Sequence, residues 1–163
     1  MEIVRTLDAA CRAEQMFPLL DDLGAYRRWM PLVHDVDEVA AGAGEDRAWE
    51  VELRAKVGPF ARSKRLRMVR TSHHPPTTVT FQRAEVDGRS HAPWVLQADL
   101  ERLGAGHGAE HGAGNLGDGV TLTMTLHYGG SLWTGAALQR VLDDEVARGS
   151  RNLVDLVTSD AAG

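Results

Sequence analysis

Residues 61–71 place Leu66 and Met68 on one face of a strand and put Arg62, Lys64 and Arg70 on that same face. A cation directed inward could hold a carboxylate or stabilise an enolate oxygen. The bland reading is preferred for all three: they lie at strand ends, reach back to water along their stems, or follow a bulge. His107 and His111 are four apart, the spacing of a metal-binding pair on a helix. Glycines surround them and Glu110 is the nearby carboxylate, so no metal is expected. His73 and His74 read as turn material, His127 falls on the polar side of its strand, and His34 and His91 have no evident partner. Cys11 is the single cysteine, which excludes an internal disulfide and a multi-cysteine metal site and leaves it a small packing residue. There is no G-x-S-x-G, phosphate loop or nucleotide fingerprint, and no cofactor is expected. Tyr128, Arg62 and Arg70 remain as acid–base candidates, none of them compelling.

The larger signal is apolar. In residues 48–57, Trp49, Val51, Leu53, Ala55 and Val57 alternate with Glu50, Glu52, Arg54 and Lys56. In 120–128, Val120, Leu122, Met124, Leu126 and Tyr128 alternate with threonines and His127. That is the period of antiparallel strands buried on one face. Residues 93–103 repeat the pattern with Trp94, Leu96, Ala98 and Leu100, and further strands are expected around 3–7, around 34–39 and from Val79 and Phe81 to near Asp87-Gly88. Two short helical pieces, 13–20 and 21–30, follow the first strand; Pro18 keeps the first short and Pro31 ends the second. Asp87-Gly88 marks a turn. Residues 104–119 carry seven glycines and read as a mobile loop, dispensable for folding.

Residues 132–157 form one long helix in this reading, about 39 Å from end to end. Leu138, Val141, Leu142, Val146, Leu153, Leu156 and Val157 recur mostly three or four apart and give one apolar face. Gly149 interrupts that face and either admits a close backbone approach or leaves room for a bound molecule. The order implies an α+β fold: a curved antiparallel sheet around a long C-terminal helix, with two short helices after the first strand. A helix lying on a twisted sheet leaves a gap, a natural apolar pocket. Its expected lining is Trp49, Leu53, Met68, Phe81, Trp94, Leu96, Met124, Leu126, Tyr128, Leu138, Leu142 and Gly149. Each of these, taken singly, also reads as ordinary core. A bulky residue at Gly149 is expected to fill the gap and block binding without disturbing the fold.

Two segments carry a resemblance: Asp22-Leu23-Gly24-Ala25-Tyr26-Arg27-Arg28-Trp29-Met30-Pro31 after the first short helix, and the final strand, Gly129-Gly130 and long helix. With the element order, they resemble the START-like (SRPBCC) superfamily and, within it, the polyketide cyclase/dehydrase and lipid-transport group, over nearly the whole chain. The resemblance implies a helix-grip fold but no universal catalytic motif, since its members include carriers, metabolite binders, cyclases and chaperone cofactors. The expected function is binding of an apolar small molecule or lipid; the alternative is a polyketide cyclase or aromatase using the same cavity. A weaker third reading is a protein–protein module.

The 163 residues suit one domain, expected to span 1–163, with hydrophobic content high enough to fold. A net charge of -5 gives no reason to expect nucleic acid. No apolar run approaches a membrane span and no apolar block follows a basic start, so a cytoplasmic protein without stable membrane insertion, monomer or homodimer, is expected. The Ala-, Gly- and Arg-rich composition fits a high-GC bacterial source.

Overall fold

The computed structural model describes residues 1–103, 119–129 and 136–161. The glycine-rich segment 104–118, with His107 and His111, and residues 132–135 of the expected helix lie outside the described residues.

Seven strands, β1 (Glu2–Ala9), β2 (Val33–Val39), β3 (Ala48–Val57), β4 (Phe60–His74), β5 (Thr78–Arg83), β6 (Trp94–Arg102) and β7 (Val120–Tyr128), form one antiparallel sheet. Its order is β1-β7-β6-β5-β4-β3-β2, a meander closed at one edge by the first strand. The sheet is curved and does not close on itself. Strands β3 and β7 have the expected bounds, because their alternation is unbroken: Trp49, Val51, Leu53 and Ala55 are buried while Glu50, Arg54 and Lys56 are exposed. Val57 pairs with Phe60 across a two-residue turn. Gly58 opens that turn at φ +61, where a tight hairpin favours glycine.

Strand β4 is longer than expected and takes in His73 and His74, which are therefore strand and not turn. Its register shifts between Arg70 and Ser72. The bulge changes which side chains face inward beyond Arg70. Strand β5 ends at Arg83 and not near Asp87-Gly88, which lies instead within a longer connection, residues 84–93, between β5 and β6.

Helix α1 (Ala13–Met16) lasts one turn and passes into a 3-10 turn, Phe17–Leu19, with Pro18 near its start. A second 3-10 helix, Leu23–Arg28, begins where the Asp22 carboxylate accepts from the Gly24 N–H at 2.8 Å. The expected short helices are thus mostly 3-10, tightened by proline and by these local bonds. The Tyr26 hydroxyl donates to the Leu20 carbonyl and the Trp29 indole N–H to that of Leu19, both at 3.1 Å. Trp29 is buried, its ring 4.4 Å from that of Tyr26.

Helix α2 (Ala136–Ala161) runs four residues past the expected C-terminal end. It contacts β1 and β3, which lie toward opposite edges of the sheet. Leu142, Val146, Leu153 and Val157 form its buried stripe. The Asn152 amide donates to the Trp29 carbonyl at 3.1 Å and ties the helix to the 3-10 segment. Among the described residues no helix is long and apolar enough to cross a membrane.

Candidate functional site

The inward face of the sheet meets the 3-10 segment around an apolar cavity of about 80 Å³. Ile3, Val51, Leu53, Leu66, Met68, Trp94, Leu96, Met124 and Leu126 come from the strands. Leu23, Tyr26, Met30, Leu32 and Val33 close the opposite side, and Val146 is the contribution of α2. Leu96, Leu126 and Val33 are partly exposed and the rest are buried, which places the mouth beside those three. The period-two pattern delivers the sheet residues: Val51 and Leu53 are two apart, as are Leu66 and Met68, Trp94 and Leu96, and Met124 and Leu126. Tyr26 brings a hydroxyl to the lining, but that hydroxyl donates to Leu20. Burial, reinforced by Asp21, pushes its pKa far up, so it remains a neutral phenol.

Six of the expected lining residues, Leu53, Met68, Trp94, Leu96, Met124 and Leu126, meet at this cavity. Trp49, Phe81, Tyr128 and Leu142 are buried but do not line it. Trp49 packs edge-to-face on Phe81 at 5.5 Å, and Phe81 edge-to-face on Tyr26 at 6.3 Å, so these rings fill the core behind the cavity wall. Tyr128 lies 5.2 Å from Trp94, with its hydroxyl turned to the Met1 sulfur. Gly149 leaves no room for a ligand, because a Cβ there would stand 2.8 Å from Met30 Sδ. It serves the close approach of helix and 3-10 segment. Leu138 occupies a helical position whose side chain lies outside the described residues. The pattern on β3 and β4 could have found Val51 and Leu66. Leu23, Met30 and Leu32 carry no local signal, since only the return of residues 20–33 across the sheet brings them there.

The three inward cations take different positions. Arg62 is exposed. Arg70 is buried, with Nε 2.6 Å from Asp46 Oδ2 and a second nitrogen donating to the Asp21 carbonyl at 3.2 Å. Lys64 is half-buried, its ammonium 5.3 Å from the centre of the Trp94 ring. Burial first, then the charge of Arg83, lowers its pKa, against an opposing pull from Glu85. Three of the described histidines have partners that the sequence did not reveal: His73 with Asp21 at 3.0 Å, His91 with Asp87 at 2.9 Å, and His34 with Arg54 at 3.5 Å. Cys11 is buried, and burial raises its thiol pKa, the reverse of what a reactive thiol needs. Among the described residues no cluster of three or more His, Cys, Asp or Glu could hold a metal.

Residues 1–158 match the family model described as polyketide cyclase / dehydrase and lipid transport. No curated protein matches the chain. Among solved structures, a START superfamily protein from Mycobacterium smegmatis superposes with a TM-score of 0.69 at 14% identity, covering 97% of both chains. A conserved protein from Geobacillus kaustophilus gives 0.68 at 12% identity, over 98% of this chain and 96% of that one. The di-domain ARO/CYC BexL, from the BE-7585A biosynthetic pathway, gives 0.58 at 15% identity, over 95% of this chain and 49% of BexL. At these identities the likeness is one of fold: the helix-grip arrangement.

Proposed function

The chain belongs to the polyketide cyclase/dehydrase and lipid-transport family, and from that premise we propose that it binds an apolar small molecule or lipid tail in the cavity between the sheet, the 3-10 segment and α2. The observation that carries this reading is the lining itself, which is apolar apart from the Tyr26 hydroxyl and the Trp94 indole. A cyclase or aromatase needs an acid or base beside the reacting carbonyl. Arg70 is engaged with Asp46, Arg62 is exposed, and Tyr128 is turned to Met1. The geometry therefore supports binding better than catalysis.

The cavity volume sets the scale. At about 80 Å³ the cavity is well below the roughly 300–1,000 Å³ of pockets that enclose a drug-sized ligand. Held rigid, it would take only the end of a chain, at about 0.8 kcal/mol for each methylene buried. Met30, Met68 and Met124 line it, and methionine's three rotatable bonds let a cavity enlarge around a guest.

The test is calorimetric titration with straight-chain alcohols from butanol to dodecanol. Affinity should rise with each methylene well beyond butanol and then level off, with a negative heat-capacity change. A response independent of chain length, or no binding across the series, would sink the proposal.

A further inference from the structure

Deepening this binding reading, and resting on it, we propose that the ligand is amphipathic and that its anionic end, a carboxylate or similar oxyanion, docks on Lys64 at the rim of the cavity. Lys64 lies on the same side of β4 as Leu66 and Met68 and pairs in register with Leu53. All three line the cavity, as does Trp94, over which the ammonium rests at 5.3 Å.

The strand lengths explain this position. Pairing of β5 with β4 begins at Met68 and runs toward His74, so the stretch of β4 that carries Lys64 has no β5 neighbour. The side chain spans the resulting opening from β4 to Trp94 on β6.

Nearby carboxylates are engaged elsewhere. Glu85 is 2.6 Å from Arg83, Glu52 is 3.1 Å from Arg65 on the other side of the strand, and Glu45 is 2.6 Å from Arg67. Among the described residues, Lys64 has a ring beneath it but no carboxylate within 4 Å. Burial first, then Arg83, lowers its pKa despite the opposing pull of Glu85, so the surroundings on balance disfavour the cation. An anion at the mouth would relieve that cost while its apolar body entered the cavity.

The experiment compares octanoate with octanol at pH 7.5 by titration calorimetry, using wild type, Lys64→Met and Lys64→Gln, with thermal melts to establish folding. Methionine retains an apolar stem over Trp94 and removes the charge. Lys64→Met should weaken octanoate about tenfold and leave octanol unchanged or tighter, as expected for loss of a charge-assisted bond. Added salt should weaken octanoate binding in wild type alone. Should Lys64→Met fail to fold, Lys64→Gln makes the same comparison. Unchanged octanoate affinity in a folded variant overturns the assignment, as does wild type binding octanol but not octanoate. If neither ligand binds wild type, the apolar-cavity reading fails and this assignment fails with it.

Discussion

Replacing Gly149 with alanine sets two effects of known sign against each other. In an unobstructed helix interior the change stabilises by about 1 kcal/mol. Here the new Cβ would stand 2.8 Å from Met30 Sδ, 3.0 Å from its Cε and 3.3 Å from its Cα. The thioether is the movable end of the side chain, but moving it forces an unfavourable rotamer and local overpacking at a cost of about 1–3 kcal/mol. The net expectation is a stability change between about zero and a loss of 2 kcal/mol. Met30 lines the cavity, so its displaced sulfur should also lower octanol affinity. Urea unfolding at 25 °C would measure the first effect and calorimetry the second. In a Met30→Ala background the sulfur is gone and the helix preference should re-emerge, giving a coupling of about 1–3 kcal/mol between the two sites. A full gain of about 1 kcal/mol in the wild-type background, or a coupling of zero, would refute the close-approach argument. Leucine at 149, the blocker suggested by the sequence, is a poor probe: it would be forced against Met30 and lower stability as well as fill space.

Asp46 and Arg70 should respond asymmetrically: Arg70 is 8% exposed and Asp46 51%, so Asp46→Ala strands a buried cation and should cost about 2 kcal/mol by urea unfolding, whereas Arg70→Met leaves a solvated carboxylate and should cost less. Equal losses would contradict this. Acid titration tests the Glu45–Arg67 pair, where hydrogen bonds from Arg67 and from the Gly42 N–H lower the Glu45 pKa from 4.5 to about 2. Because the folded-state value is the lower one, the stabilisation is present above pH 4.5 and is lost as pH falls toward 2. Glu45→Gln should therefore flatten the loss of stability over that window, and an unchanged acid limb would remove the pair from the account.

Strands β3 and β7 were legible residue by residue because each has one wet and one dry face and no interruption. Strand β4 was not. Arg67 and Arg70 are buried by carboxylates on the 45–46 loop, about twenty residues away in sequence, and the bulge after Arg70 breaks the period. Alternation alone carries no sign of either. Half of the expected lining was legible for the same reason as the strands. The aromatic residues Trp49, Phe81 and Tyr128 were assigned to the lining by face alone, whereas distance along the strand decides whether a ring lines a cavity or fills the core behind it. Residues 23–33 were missed because their role depends on where the chain crosses the sheet.

The sheet order also bears on how the chain finds this structure. From β2 to β7 every strand pairs with its neighbour in sequence, so the meander can zip up through successive local closures. Strand β1 breaks that rule: Ile3 pairs with Leu126 and Leu7 with Leu122, which closes a loop spanning about three-quarters of the chain. Loop-closure entropy makes such a pairing the costly step and favours its arrival after the rest of the sheet. Ile3 lines the cavity, so one wall of the pocket is expected to form after the meander. Mutations at Ile3 should then accelerate unfolding while barely changing the folding rate.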